Sequence, residues 1–165
     1  MRVGGAAAGS AAFFLAGPVL EIGVGPLLLT GWDMADGWPG VVRAAGAVLV
    51  LAGVAVVVHC FAAFVRDGRG TPSPAAPPRR LVATGAYRHV RNPMYVATTA
   101  AIAGQGLLLG RTVLIVAAAV YLTAMAALTR LREEPALRAR HGAAWDRYAD
   151  AVPGWLPRRR GWPGS

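Results

Sequence analysis

Two stretches of the sequence hold most of the side chains that can do chemistry. The first, "GAYRHVRNPMYVA" at residues 85–97, packs two arginines, a histidine, an Asn-Pro pair and two tyrosines into thirteen positions. The second, "REEPALRARHGAAWDRYADAVPGWLP" at residues 132–157, begins with a pair of glutamates. Arginine binds anions through paired hydrogen bonds, carboxylates accept hydrogen bonds, and tyrosine offers an aromatic face and a hydroxyl. These two stretches are therefore the candidate binding segments.

Each stretch also has a simpler structural interpretation. Asn92 suits a helix N-cap and Pro93 suits a first helical turn, so the pair predicts the start of a helix. In the second stretch, Glu134, Leu137, His141, Trp145 and Tyr148 recur at spacings of three and four. Such residues share a helix face, which predicts an amphipathic helix. By itself, this helix can lie in the membrane interface, with its aromatic rings at headgroup depth and its arginines on anionic lipid.

Other polar residues carry less information. Pro135 predicts a break or kink just after Glu134. The three histidines, at positions 59, 89 and 141, have no metal-ligand spacing, and we expect no metal. Cys60 and His59 lie in an apolar stretch, where Cys60 reads as a small buried side chain and His59 as a hydrogen-bonded polar group. Glu21 either faces a substrate cavity or pairs with an arginine of another helix.

The elements that must position these residues are membrane helices. The chain of 165 residues is 55% hydrophobic and 15% charged, with a mean hydropathy of +0.45. Its apolar residues fall into four stretches, at 11–30, 41–65, 94–109 and 112–129. About 20 apolar helical residues cross a bilayer core, so the first two are long enough and the last two form a short, tight hairpin. We predict an all-α, multi-pass membrane protein with about four membrane helices and a C-terminal amphipathic helix.

These elements predict a single membrane domain with four parts. Residues 1–65 form two spans, residues 66–93 a Pro- and Arg-rich loop, residues 94–129 the helical hairpin, and residues 130–157 the C-terminal helix and tail. The first apolar stretch can also be read as a signal peptide, but its length and the absence of a clear cleavage site favour a first transmembrane helix.

The arginines predict the orientation in the membrane. All 17 basic residues are arginine, and only Arg43 and Arg111 fall on the side of the short acidic loop that contains Asp33 and Asp36. The positive-inside rule places that loop outside and both termini in the cytoplasm. The net charge of +9 is therefore a topology signal, and we expect no nucleic-acid partner.

Taken in order, the two candidate segments and the hydrophobic hairpin between them resemble the isoprenylcysteine carboxyl methyltransferases and their phospholipid methyltransferase relatives. The similarity covers residues 79–157, with Asn92 in place of a frequent histidine and Pro135 directly after the glutamate pair. It implies an integral membrane enzyme that uses S-adenosylmethionine. The family's cofactor positions fall on Arg79, Arg80, Leu81, Val82, Tyr87, Asn92, Pro93, Met94, Tyr95 and Glu133. Arg130, about one turn before Glu133, is the nearest match to the family's substrate-side arginine and the candidate catalytic residue.

The resemblance also implies a lipophilic or membrane-delivered methyl acceptor, with a carboxylate, thiol or amine as the methylated group. The high content of Ala, Gly and Arg indicates a GC-rich bacterial source and hence a bacterial inner membrane. Two other functions remain open from the sequence. One is a non-catalytic membrane protein that binds lipid or a partner, and the other, less favoured by the motifs, is a membrane reductase that uses NADPH.

Overall fold

The computed structural model describes residues 16–63, 66–67 and 81–163. This described part is helical and contains no strand, which confirms the all-α, multi-pass class. The chain divides into two compact units. Among the described residues, we call those of Leu15–Val57 with Met94–Met125 the apolar unit, and those of Val58–Pro93 with Ala126–Ser165 the polar unit.

The helices of the second, third and fourth predicted stretches follow those stretches closely, whereas the first described helix covers only residues 19–30 of the stretch at 11–30, and residues 11–15 lie outside the described residues. Helix α1 spans Val19–Thr30, α2 spans Gly40–Ala63, α3 spans Pro93–Leu109 and α4 spans Thr112–Leu128. Within the described residues, two helical segments are long and apolar enough to cross a membrane, namely Gly40–Ala63 and the 30-residue run that begins with α4. Helices α1 and α3 are apolar but shorter.

Small residues let α2 and α3 approach each other closely within the apolar unit. A Cβ on Gly46 would lie 2.5 Å from the backbone nitrogen of Leu108, and one on Gly104 would lie 2.8 Å from the carbonyl oxygen of Gly46. Farther along, Gly53 packs against the backbone of Ala97. Helices in a bilayer gain stability from such backbone contact, because lipid supplies no hydrophobic drive for their association. The glycines of α2 and α3 therefore hold this helix pair together.

Helix α1 begins with a π-helical segment, Val19–Val24, followed by α-helical Gly25–Thr30. Pro26 has no N–H, so it cannot bond the carbonyl four residues earlier. The side-chain amide of buried Gln105 donates to that carbonyl, on Ile22, at 2.7 Å. A side chain of α3 thus satisfies the backbone group that the proline leaves unpaired.

The two arginines on the acidic-loop side bind backbone carbonyls. Arg43 donates to the carbonyl of Leu108 at 2.9 Å, near the end of α3, and also to the carbonyl of Ala35. Arg111 donates to the carbonyl of Asp33 at 3.0 Å. Unpaired carbonyls at a helix end attract cations. These arginines therefore fasten the loop between α1 and α2 to the turn of the helical hairpin.

Glu21 has a hydroxyl partner within the apolar unit. Tyr121 of α4 donates its hydroxyl to Glu21 Oε2 at 3.0 Å, and both side chains line a cavity of about 180 Å³. Neither of the salt bridges Arg91–Glu134 and Arg138–Asp146 involves Glu21. Of the two alternatives for Glu21, the described structure therefore shows a cavity wall and no arginine pair.

The fourth helix continues beyond its predicted end. A π-helical segment, Thr129–Glu133, follows α4 and leads directly into α5, Glu134–His141. The helix is therefore not broken after Glu134, because Pro135 lies in the first turn of α5, where its missing N–H costs little. The wide turn before it absorbs the change of register, and a helix of 30 residues, Thr112–His141, results.

The break comes instead at Gly142. This residue has φ 51° and ψ −129°, a backbone conformation that favours glycine, and it separates α5 from α6, Ala143–Ala151. The predicted amphipathic helix is thus present in two pieces. Its aromatic face is retained in α6, where Trp145 and Tyr148 are buried.

Candidate functional site

The polar unit is built around the aromatic residues of α6. Trp145, Tyr148 and Val152 form a buried cluster, and Leu81 and Trp162 pack against it. Tyr148 is 2% exposed, and its hydroxyl donates to the carbonyl of Tyr87 at 2.7 Å. Burial raises the pKa of Tyr148 well above its ordinary value, so the hydroxyl remains a donor. The C-terminal stretch is therefore packed directly onto the first candidate segment.

Arg91 makes the largest number of polar contacts in this packing. Its guanidinium donates to the carbonyls of Ala149 and Val152 at 2.7 and 2.9 Å, and to Glu134 Oε1 at 2.8 Å. Its charged end also lies 5.8 Å from the ring centre of Trp145. A cation at the C-terminal end of α6 satisfies the last carbonyls and the helix dipole together. One side chain thus joins the Asn-Pro segment, the glutamate pair and α6.

Main-chain bonds extend this junction along the tail. The Arg91 backbone N–H donates to Pro153 at 2.9 Å, and the Asn92 side-chain amide donates to the carbonyl of Gly154 at 3.0 Å. Farther on, the N–H of Arg158 donates to His89 and the N–H of Trp162 donates to Arg88, each at 2.9 Å. The polar stretch at residues 85–97 is therefore largely occupied in holding residues 145–162.

The predicted cofactor positions on the first segment divide into three groups. Arg79 and Arg80 lie outside the described residues. Leu81, Val82 and Tyr87 lie in the polar unit, where Val82 and Tyr87 are buried. Asn92 and Pro93 stand at the start of α3, and Met94 and Tyr95 continue its first turn as members of the apolar unit.

Glu133 and Arg130 share the π-helical segment after α4. Glu133 is half-buried and accepts a 3.4 Å hydrogen bond from the hydroxyl of Thr129, while Arg130 is exposed. The carboxylate that pairs with Arg91 is that of Glu134. The sequence had indicated the glutamate pair but had not selected Arg91 and Glu134. Their opposite charges at the two ends of the helical hairpin were the available signal.

His59, at the end of α2, lies against Gly85. The imidazole is exposed, and its Nε2 occupies the position that a side chain at Gly85 would need. Gly85 itself has φ 55° and begins the short 3-10 helix Gly85–Arg88. Any larger residue at position 85 would displace the imidazole. The close contact with His59 therefore requires glycine at this position, two residues before Tyr87.

The fold and this junction define a multi-pass helical membrane protein with a polar unit that joins the two candidate segments. The model of the phospholipid methyltransferase family matches residues 41–144, which include α2, the hairpin, Arg91 and both glutamates. The match covers more than half of the chain, and the protein belongs to this family, as the sequence resemblance indicated. Family membership implies a membrane methyltransferase. No curated protein and no solved structure matches the chain.

Proposed function

We propose that this protein is an S-adenosylmethionine-dependent methyltransferase that methylates a lipophilic or membrane-delivered acceptor. The observation that carries the proposal is the 2.8 Å ion pair between Arg91 and Glu134. It joins the Asn-Pro segment to the glutamate pair, 43 residues away in the chain, in the order that the family resemblance requires. The proposal rests on this junction and on membership in the family.

The side chains at the junction fit such a cofactor in their chemistry. Glu133 offers a half-buried carboxylate, which suits ribose hydroxyls or an ammonium group. Arg91 Nε is buried and has no hydrogen-bond partner among the described residues, so it remains a donor for a carboxylate. Tyr87 would offer a ring for a cation, and Leu81 and Val82 would supply apolar contact, while Tyr95, which lies outside the polar unit, is assigned by the family resemblance alone.

When bound, S-adenosylmethionine supplies a methyl group on a positively charged sulfur. The protein's contribution is to orient the donor and acceptor in line and to exclude water. In this proposal Glu133 would hold the cofactor, the family resemblance assigns Tyr95 to cofactor binding as well, and the exposed guanidinium of Arg130 would bind an anionic part of the acceptor. Asn92 positions the helix start through its bond to Gly154, together with Pro93 and Met94.

The acceptor is proposed to arrive from the membrane, with a carboxylate, thiol or amine as the methylated group. The family's name supports a lipid acceptor, and the exposed leucines and valines of the apolar unit suit a hydrocarbon surrounding. We further propose that the polar unit lies on the cytoplasmic side of a bacterial inner membrane, because 14 of the 17 arginines lie at or beyond position 66 outside the hairpin turn.

Binding of the cofactor tests the proposal directly. Full-length protein in nanodiscs is titrated with S-adenosylmethionine, S-adenosylhomocysteine and NADPH by calorimetry. We expect binding of the first two and none of the third. Glu133→Ala should weaken binding about 10- to 100-fold, because a charge-assisted hydrogen bond contributes about 1.5–3 kcal/mol. Tyr95→Ala should weaken it about 2- to 30-fold, the range that a cation–π contact of about 0.5–2 kcal/mol allows.

Asp150→Ala is the matched control, because it removes an exposed carboxylate from α6 in the same polar unit. This variant should bind S-adenosylmethionine and S-adenosylhomocysteine with unchanged affinity. Folded wild-type protein that binds neither adenosyl compound would contradict the proposed function, and binding of NADPH would favour the reductase. Full binding by both site variants would reject the assigned residues while leaving the function open. Labelled methyl donor and membrane extract then identify the acceptor.

A further inference from the structure

The cavity beside Glu21 is lined mostly by residues without polar side chains. It lies wholly within the apolar unit and has a volume of about 180 Å³, room for roughly six groups the size of a water molecule or methylene. Its wall includes Leu29, Ile102 and Ala117, and the two residues with polar side chains that also line it are Glu21 and Tyr121. Leu29 is 54% exposed, so the cavity opens at the outer surface of the helices.

Glu21 and Tyr121 lie at the depth of the hydrocarbon core of the bilayer. Glu21 is nine residues before the end of α1 at Thr30, and Tyr121 is nine residues after the start of α4 at Thr112. At about 1.5 Å per residue, both lie roughly 14 Å from the same end of the helices, near the middle of a bilayer core of about 30 Å. Zwitterionic lipid headgroups do not reach this depth, but a lipophilic molecule with an uncharged polar group does.

Glu21 has more capacity to accept hydrogen bonds than the described residues use. Tyr121 donates to Oε2, and Tyr121 is the one hydrogen-bond partner of Glu21 within residues 16–63, 66–67 and 81–163. A carboxyl group accepts at more than one lone pair in either protonation state. A polar group left unsatisfied in hydrocarbon costs several kcal/mol, so a second donor to the Glu21 carboxyl group would be stabilising.

The backbone at this point supports a role beyond packing. Glu21 lies in the π-helical segment Val19–Val24, and such segments inside α-helices occur frequently at functional sites. Gly25 and Pro26, which also line the cavity, follow this segment directly. The wide turn and the small residue leave room where a regular helix would carry a larger side chain.

We propose that this cavity binds a lipophilic alcohol, with its hydrocarbon part against Ile102 and Ala117 and its hydroxyl donating to the Glu21 carboxyl group. The site belongs to the apolar unit, and it shares no residue with the proposed cofactor site. Its test does not depend on methyl transfer, so it can fail or succeed independently of the proposed function.

Photolabelling tests this site with two matched probes. Full-length protein in phosphatidylcholine nanodiscs is irradiated with a long-chain alcohol that carries a diazirine, or with the alkane that carries the same diazirine but no hydroxyl. Labelled peptides are mapped by mass spectrometry. We expect the alcohol to label the peptides that contain residues 19–30 and 112–121 about tenfold more than the alkane, the preference that one well-formed hydrogen bond provides.

Four variants separate hydrogen bonding from simple occupancy. Glu21→Leu should abolish the tenfold preference, whereas Glu21→Gln should retain it because the amide carbonyl still accepts. Ala117→Leu fills the cavity and should abolish labelling by both probes, while Ala119→Leu, exposed on the same helix, should not change it. Thermal unfolding confirms that each variant is folded. Equal labelling by the two probes, or full labelling of Ala117→Leu, would overturn the proposal.

Discussion

At the scale of single residues, the guanidinium of Arg91 holds the polar unit together. Its side chain is 18% exposed and donates to two carbonyls of the α6 end and to Glu134. Removal of this side chain leaves three acceptors without their donor, and partly buried charged acceptors are costly to leave unpaired. By contrast, the ion pair of Arg138 with Asp146 is mostly exposed, at 70% and 44% of the two side chains.

Arg91→Ala should therefore destabilise the polar unit by about 2–4 kcal/mol. Arg91→Lys should recover only part of this, because an ammonium group cannot reproduce the forked geometry. The measurement is hydrogen exchange of residues 145–152 in nanodiscs. Arg138→Ala is the matched control, and we expect a change of at most about 0.5 kcal/mol, since exposed ion pairs contribute little. Equal effects of Arg91→Ala and Arg138→Ala would contradict the role assigned to Arg91.

The hydroxyl of Tyr148 predicts a pH dependence. Burial raises the pKa of Tyr148 in the folded state above that of the unfolded chain, which is about 10. The hydroxyl's contribution to stability is then complete below pH 10 and declines as the pH rises, because the unfolded chain releases its proton first. Tyr148→Phe should cost about 1–2 kcal/mol at pH 7, through the lost bond to Tyr87, and should reduce this alkaline decline. Denaturation of both proteins between pH 7 and 11 provides the measurement, and an unaltered decline in the variant would contradict this cause.

At the scale of elements, two proline residues and a set of glycines shape the helices. Pro26 and Pro135 each lie in the first turn of an α-helical segment that follows a π-helical one. Each π-helical segment carries an acidic residue, Glu21 in the first and Glu133 in the second. We propose ligand contacts for both of these acidic residues. Each is followed by a proline, five residues after Glu21 and two residues after Glu133.

The close approach of α2 and α3 gives a prediction at this scale. Gly46→Ala should destabilise the helix pair by about 1–3 kcal/mol, because a Cβ at this position meets the α3 backbone, which cannot move as a flexible side chain can. Unfolding in mixed detergent measures the change. Gly40→Ala, at the start of the same helix, has no atom within 4 Å of its added Cβ and should be close to neutral. Comparable losses in both variants would show that the effect comes from the helix backbone and not from packing.

At the scale of the whole molecule, the arginines set the expected arrangement across the membrane. Only Arg43 and Arg111 lie on the side of the acidic loop, and both bind backbone carbonyls there. Their positions are therefore explained by these hydrogen bonds, and they do not weaken the charge asymmetry that predicts cytoplasmic termini.

Cysteine labelling on intact cells tests this topology. In a Cys60→Ser background, single cysteines are introduced at Asp36 and at Asp150, both exposed positions. A membrane-impermeant maleimide should label Asp36→Cys on intact cells and Asp150→Cys only after permeabilisation. Labelling of Asp150→Cys on intact cells would reverse the orientation.

The sequence was sufficient for the elements and the family. Hydrophobic length determined the helix boundaries of α2, α3 and α4 to within a few residues, and the turn at Gly110 and Arg111 separated the hairpin helices as predicted. The family resemblance rested on short motifs in a fixed order, which a linear sequence records fully. Membrane helices are readable in this way because every backbone group within the bilayer must be satisfied inside the helix.

Only the tertiary structure decided what the polar residues contact. From the sequence, Arg91 could be interpreted as a charge at the membrane boundary. Packing places it against α6, and its ion-pair partner is Glu134 and not Glu133. Glu21 was compatible with an arginine partner, and the structure gives it Tyr121, 100 residues away. Polar partners depend on the register between helices, and that register is set by close contacts such as Gly46 on Gly104, which no local pattern of hydrophobicity encodes.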